Sequence, residues 1–474
     1  MADVRVREAG SIRVAVGDRI EDLDTPLILA DLDRMERNIA DWQSWMDDHG
    51  VKFRVHIKTH KVPEIALLQL AAGARGICCA KISEAEPFAA AGADDIALAY
   101  PIFGEDKWAR VAQLAASGVR MTANCDSDES ARQAAAAGAA AGVTLNLQID
   151  VESGMYRGGI PAAELDRIEA LARTIGSLPG VEFDGLTTHR SYFFEGKRSR
   201  QEEGHAEGEL IVGVAEALRA RGVEVREVNA GGSFTGKFVA EVPGITESRA
   251  GTYVFYDVMH VNEGSATEDQ LALTALCRVV SRWGEDGLTI DGGSKTFSGD
   301  RGVVGTGNAQ GAPPAMTYST DGRVVIERLT EEHGMGHPAG GAAVSLGEKL
   351  RFYPFHACTC CNLTNEIIGV RGGRVETIWK VAARGLPTWP GLEVPKWTRT
   401  AGTCCTHSAG TRASRSSAAR TPGCGTPPAG CTWTRCPARR GRRWSGTRTR
   451  GWRRPSPGRW QRCRRRTSCT RATR

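Results

Sequence analysis

Apolar and polar residues alternate along Phe53-Arg54-Val55-His56-Ile57 and then give way to Lys58-Thr59-His60-Lys61. A period of two marks a strand with one face in a core, so this segment predicts a strand that delivers a lysine to the place where core, solvent and ligand meet. From Thr25 onward a larger unit recurs: a short apolar run, a turn, then an alanine- and leucine-rich helix. The strand-like runs begin near Pro26, Phe53, Gly76, Asp95, Val119, Leu145, Val181 and Val225, mostly 20 to 25 residues apart and up to about 40. Strands alternating with helices at this period predict βαβ units and a parallel sheet. Eight of them predict a closed (β/α)8 barrel, an α/β fold whose chemistry collects at the C-terminal ends of the strands; an open doubly wound sheet is the alternative.

Helix punctuation agrees. Asp33 to His49 carries Met35, Ile39, Trp42 and Met46 on one face and is followed by Gly50, and the helices expected over 64–72 and 83–91 also run into glycines, the residue best suited to a helical C-terminus. After Phe255 the pattern shortens to strands near Leu276–Ser281, Leu288–Asp291, Val324–Leu329 and Val375–Ala382, with Asp-Gly and Gly-Gly turns between them, which predicts a mostly antiparallel β domain. The domains read as a barrel over 25–262, a β domain over 1–24 and 263–384, and a tail over 385–474.

Charge and composition set the tail apart. Residues 395–474 hold 21 of the 61 Lys and Arg and no Asp or Glu, and no Val, Leu, Ile, Met, Phe or Tyr follows Val394. Such a segment cannot offset the entropy of ordering and is expected to be disordered; its Arg-, Thr-, Trp- and Cys-rich composition looks like a GC-rich frame translated out of phase. The first 394 residues carry 40 basic against 55 acidic side chains, which argues against nucleic-acid binding by the body. Its seven cysteines are odd in number and form no framework, as in a reduced cytoplasmic enzyme, and no apolar run reaches the length of a membrane span.

Three constellations carry candidate chemistry, and each alone has a plain structural reading. Lys58 is an amine placed for Schiff-base chemistry or a solvated strand end. Asn229-Ala230-Gly231-Gly232-Ser233-Phe234-Thr235 follows a strand and offers small residues and hydroxyls to a phosphate, or is merely a loop; Arg157 sits in the glycine-rich turn 150–159. In His356-Ala357-Cys358, an extended backbone would aim imidazole and thiol at one cation, zinc by its nitrogen and sulfur donors, or would simply bury both.

Arg54-Val55-His56-Ile57-Lys58-Thr59-His60-Lys61 resembles the pyridoxal-phosphate lysine motif of the D-threonine aldolase and D-serine dehydratase family, whose barrel is of the alanine-racemase type. The resemblance continues in order through Asp24-Thr25-Pro26, Lys81 to Glu86, Gly154 to Gly159, Gly231-Gly232, Arg249 to Tyr253, Asp291 to Lys295, Glu331 to Gly334 and His356 to Cys358, and covers roughly 20–384. It implies Lys58 as the Schiff-base lysine with His60 beside it as a second catalytic group, and Lys61 as a neighbouring charge. Arg157 would lie near the cofactor ring oxygen, His189 near the pyridine nitrogen, where relatives often carry tyrosine, and Gly231, Gly232, Ser233 and Tyr253 at the phosphate. His356 and Cys358 would hold a divalent metal, zinc before manganese or magnesium. The function implied is a lyase on β-hydroxy D-amino acids, a dehydratase or an aldolase, working as a homodimer on a small-molecule substrate. A metal-independent amino-acid racemase and a non-catalytic pyridoxal-phosphate-binding protein are the alternatives.

Overall fold

The computed structural model describes residues 14–190, 199–284, 286–300 and 317–385. The tail beyond 385 and residues 1–13 of the β-domain segment lie outside the described residues. The chain begins with β1 (Leu27–Asp31) and α1 (Leu32–Asp48), followed by β2 (Lys52–His56), α2 (Pro63–Ala71), β3 (Gly76–Cys79), α3 (Ile82–Ala91), β4 (Asp95–Pro101), α4 (Glu105–Ala116), β5 (Arg120–Cys125) and α5 (Asp128–Ala141). Then come β6 (Leu145–Glu152), the short β7 (Ile160–Pro161), α6 (Leu165–Ser177), β8 (Val181–Thr187), α7 (Arg200–Ala220), β9 (Glu227–Ala230), α8 (Gly236–Ala240) and β10 (Glu247–Ser248). Strands β2, β3, β4, β5, β6, β8, β9 and β10 pair in parallel in that order, and β10 returns to β2 through Glu247↔Lys52 and Ser248↔Phe53. The sheet is a closed eight-stranded barrel.

Two strands differ from the sequence expectation. The period places the run near Pro26 in the barrel, but β1 pairs with strands of the second domain, and the eighth barrel place is taken by β10. A run apolar on both faces does not say which sheet buries it, and a two-residue strand such as Glu247–Ser248 shows no period at all.

The second domain comprises α9 (Val258–Asn262), β11 (Leu273–Trp283), β12 (Gly287–Ile290), α10 (Ser294–Phe297), β13 (Thr317–Ser319), β14 (Val324–Leu329), β15 (Gly334–Pro338), β16 (Lys349–Pro354), α11 (Ala357–Leu363), β17 (Glu366–Arg371) and β18 (Arg374–Lys380). Strand β11 is its hub. It pairs antiparallel with β16 along one edge and with β1 and then β12 along the other, and the ring closes through β15, β14 and β13. Beyond β1, β17 and β18 extend the sheet, over a small core of Leu23, Leu29, Leu276, Ile368, Val370 and Val375. Among the described residues no helix is long and apolar enough to cross a membrane.

The alternation of β2 is sorted in an instructive way. Phe53, Val55 and Ile57 are buried against the surrounding helices, where Trp42 of α1 stacks on Phe53 at 5.7 Å. The polar face points into the barrel rather than to water. Arg54, 2% exposed, donates from Nε to Glu247 at 2.9 Å and from Nη1 to Asp95 at 2.7 Å. Arg120 reaches Asp95 and Asp184, Gln148 donates to Asp184, and Asn229 donates to Glu247. The barrel interior is thus an ion-pair network, tolerable in a low-dielectric setting only because nearly every charge has its partner. Arg54→Ala takes from the buried Glu247 the guanidinium that pairs with it at 2.9 Å and is expected to cost about 3–5 kcal/mol of stability, read as a lowered denaturation midpoint.

Candidate active site

The C-terminal ends of the barrel strands open into a cavity of about 650 Å3, closed on its far side by residues of the second domain. Seven of the barrel strand ends and following loops contribute charged or hydrogen-bonding side chains to it, from Lys58 after β2 to Arg249 after β10. The inward column of β2, Arg54 and His56, runs on into a turn in which the Lys61 N–H donates to the Ile57 carbonyl at 2.9 Å, and Lys58 leaves this turn into the cavity. Lys61 has φ 52° and turns away, bonding Glu84 at 3.2 Å and Asn362 at 2.8 Å. His60, expected beside Lys58, is placed elsewhere: it is fully buried, accepts the Val62 N–H on Nδ1 at 3.0 Å and meets the edge of Phe88. Burial lowers its pKa to about 4. Of the two histidines that flank Lys58, His56 is the one at the cavity.

Two histidines line the cavity among cations. Burial, reinforced by Lys58 and by Arg157 and Arg249, pushes His189 down to about 3, and burial with Lys58 and Arg249 holds His56 well below its usual value. Both imidazoles are neutral near pH 7. Arg157 is presented by the loop after β6, where the Glu152 carboxylate accepts the Gly154 and Tyr156 N–H groups at 2.7–3.0 Å. Arg249 lines the floor and donates to Thr187 at 2.5 Å and to the Thr188 carbonyl at 3.3 Å.

The loop Gly231–Thr235 crosses the end of β9. Gly231 has φ 94°, and a Cβ there would lie 2.9 Å from both Gly236 Cα and Ser248 Oγ; one on Gly232 would lie 3.1 Å from the His189 ring. Glycine is therefore required for this close approach. Ser233 Oγ accepts the N–H groups of Gly251 and Tyr253 at 3.1 and 3.3 Å, which leaves its own hydrogen to donate. The Tyr253 side chain is not brought to the cavity: it is buried between Trp42 and Phe53 and accepts from Gln69 at 2.7 Å. Only its backbone supports the loop.

Sequence reasoning missed what holds this loop from behind. Glu207 of α7 is fully buried and accepts the Gly231 N–H at 3.1 Å, the Arg190 N–H at 2.9 Å and the Thr235 hydroxyl at 3.1 Å. Burial raises its pKa to about 7 against these donors. The readable signal was the pair of glycines around it: added Cβ atoms on Gly204 and Gly208 would lie 2.7 and 2.8 Å from Phe238 and Val242, so α7 packs against the following segment without side chains between.

From the second domain come His356 and Cys358. They do not lie on one strand, as expected: β16 ends at Pro354, His356 is the extended residue before α11, and Cys358 lies in the first turn of that helix. The kink still places the thiol beside the imidazole, near enough for each to shift the other's titration. Burial disfavours charge on both, yet the pairing wins, holding His356 up at about 10 and Cys358 down at about 7. Thr59 and Thr252 lie 3.2 and 3.4 Å from the sulfur, and Asp300 Oδ2 meets His356 Nδ1 at 2.7 Å. No group of three or more His, Cys, Asp and Glu suited to a metal is assembled among the described residues.

Residues 30–258 match the model of the alanine racemase N-terminal domain and 272–370 that of a putative serine dehydratase domain. The chain is 34% identical over 374 residues to D-threonine aldolase of Arthrobacter sp., covering 78% of this chain and 95% of that one. It is also 34% identical over 355 residues to D-threo-3-hydroxyaspartate dehydratase of Delftia sp. strain HT23, covering 72% and 92%. The crystal structure of D-threonine aldolase from Filomicrobium marinum superposes with a TM-score of 0.71 at 30% identity, over 78% of this chain and 99% of that one. The chain belongs to the alanine-racemase-like family of pyridoxal-phosphate enzymes that includes these D-threonine aldolases and D-threo-3-hydroxyaspartate dehydratase.

A folded protein that keeps the Glu207 proton up to about 7, against an ordinary 4.5, binds more protons than its unfolded chain in that window. By itself Glu207 should therefore make stability fall as pH rises from about 4.5 to 7 and level off above, a decline set against the rise that the depressed His56, His60 and His189 give over the same range. In Glu207→Gln this decline is expected to shrink by up to about 3 kcal/mol, measured as denaturation midpoint against pH on the cofactor-free protein.

Proposed function

We propose that the chain is a pyridoxal-phosphate- and metal-dependent lyase acting on β-hydroxy D-amino acids. The observation that carries this is the convergence, in one cavity, of a lysine from the barrel and an imidazole–thiol pair from the second domain. The fit to the cofactor rests on Lys58, on the glycine cradle Gly231–Gly232 with the Ser233 hydroxyl, and on a cation-rich lining. Lys58 would bond the cofactor, Arg157 would face its ring oxygen, neutral His189 would lie beside the ring, and Gly231 to Ser233 would hold its phosphate. When bound, the cofactor supplies an electron sink for charge at the substrate's Cα.

The donor set also fits a divalent metal. His356 presents a nitrogen and Cys358 a sulfur, which favours zinc, and Asp300 holds the second imidazole nitrogen as carboxylates do for metal-bound histidines. A solved cysteine-to-alanine variant of D-threo-3-hydroxyaspartate dehydratase is in a metal-free form, which supports a metal in that relative. Here His356 and Cys358 would hold the ion, which would supply Lewis acidity at the β-hydroxyl.

The chain's own groups divide the remaining work. For dehydration, the Lys58 amine, once free, takes the proton from Cα. The neutral imidazole of His56 keeps the neighbourhood free of a further fixed charge, and the buried walls limit water. Departure of the β-hydroxyl after loss of the Cα proton makes the enzyme a dehydratase; loss of the hydroxyl proton to a base instead, with the Cα proton kept, breaks the Cα–Cβ bond and makes it an aldolase that releases glycine and an aldehyde.

Wild-type protein reconstituted with pyridoxal phosphate should show a visible absorption band that Lys58→Ala lacks, with turnover lowered by about 10^2- to 10^4-fold or more; a colourless wild type refutes the assignment. His356→Ala should keep the band and lose metal-stimulated turnover, and Asp300→Asn should weaken metal binding by about 10- to 100-fold, read by competition with a chromophoric chelator. Full activity in excess chelator would remove the metal from the scheme. A panel of D-serine, D-threonine and 3-hydroxy-D-aspartate assayed for ammonia, glycine and aldehyde then separates dehydratase from aldolase.

A further inference from the structure

The segment that leaves the barrel carries a buried aspartate–histidine pair for which the chemistry above has no use. Asp257 and His260, at the start of α9, are both fully buried. Asp257 Oδ1 accepts from His260 Nδ1 at 2.6 Å and from the His260 backbone N–H at 3.1 Å, while Oδ2 accepts the Ala357 N–H at 2.9 Å. Two residues on, the Met259 N–H donates to the Phe355 carbonyl at 3.2 Å. The turn at 257–259 therefore grips the residues on both sides of His356.

The ring of His260 is engaged on its face as well. It lies flat on Phe234, with centroids 4.0 Å apart and planes within 5°, and Tyr256 meets it in an edge contact at 5.4 Å. Phe234 belongs to the glycine loop, next to Ser233, and lines the cavity. With its Nδ1 proton given to Asp257, His260 keeps a buried Nε2 that has no hydrogen-bond partner among the described residues. A purely structural contact would be better served by an apolar ring, because an unpartnered buried nitrogen costs free energy. What histidine adds is a rigid link: one face on the loop, one edge in a carboxylate that holds the His356–Cys358 turn.

We propose that Asp257 and His260 are positioning residues that couple the glycine loop to the His356–Cys358 turn, so that occupancy of the loop by a phosphate-bearing cofactor and occupancy of the turn by a divalent cation strengthen each other. Closely packed aromatic rings and short charged hydrogen bonds transmit small displacements because neither compresses. A shift of Phe234 moves His260, then Asp257, then the Ala357 N–H, one residue from each donor. This inference rests on the cofactor and metal reading of the site given above.

Linkage supplies the test, since coupling must be reciprocal. The affinity of the wild type for pyridoxal phosphate is titrated by absorbance with zinc or manganese present and with chelator, and the affinity for manganese with and without the cofactor. We expect each ligand to tighten the other by the same factor, about 5- to 50-fold. In His260→Gln and in Phe234→Leu that factor should fall below about twofold, and in His260→Gln each ligand alone should bind within about threefold of wild type. A factor that persists in both variants overturns the proposal and assigns the effect to direct attraction between anion and cation across the cavity. Independent binding of the two ligands in the wild type overturns it as well. A wild type that binds no cofactor overturns instead the reading of the site on which the inference rests. If His260→Gln does not fold, Phe234→Leu, which leaves the Asp257–His260 hydrogen bond intact, carries the comparison.

Discussion

The interaction on which the rest depends is the clamp of Arg54 between Glu247 and Asp95. In a strand of period two the register decides which face every side chain takes. With Arg54 held inside the barrel by two carboxylates from other strands, His56 is inward too, and the turn that follows delivers Lys58 to the cavity. A slip of one residue would aim Phe53 and Val55 at the ions and bury the histidine among the helices. The cost of that exchange is what makes the register unique. The same clamp draws in β10, whose two residues would otherwise have little reason to pair.

Above this ionic floor the site is a place of excess positive charge. Lys58, Arg157 and Arg249 face the same space as His56 and His189, and that field, added to burial, keeps both imidazoles neutral. Such a cavity is prepared for an anionic guest. The second domain supplies the opposite character: Asp300 and a thiol with a lowered pKa beside His356, suited to a cation. Strand β1 belongs to the second domain's sheet and runs directly into α1, whose Trp42 packs on Phe53 of the barrel, so the two domains are joined through packed elements.

Much of this was legible in the chain. Alternation showed the strand before Lys58, the βα period showed the barrel, and glycines flagged the Gly231 loop and the Arg157 turn, all of which meet in the cavity. Other parts were silent for physical reasons. His60 and His56 flank Lys58 symmetrically in sequence, yet a turn replaces the strand after His56, so parity no longer says which histidine faces in. Tyr253 sits in a motif whose backbone, not its ring, supports the loop. Glu207, Asp257 and Asp300 act from 24, 100 and 56 residues away from the groups they hold, and nothing local marks a carboxylate as the partner of a distant N–H.

What the amino-acid sequence by itself determined was periodicity and chemistry: which segments could be strands, where backbone must turn on glycine, and which side chains could serve as nucleophile, cation or soft ligand. These are local properties, set by sterics and side-chain type within a few residues. Only the tertiary structure decided which sheet took β1, which histidine reached the cavity, and that a buried aspartate–histidine pair would join the glycine loop to the His356–Cys358 turn. Those outcomes depend on closing the barrel and on pairing buried charges across it, and both are settled by contacts between residues far apart along the chain.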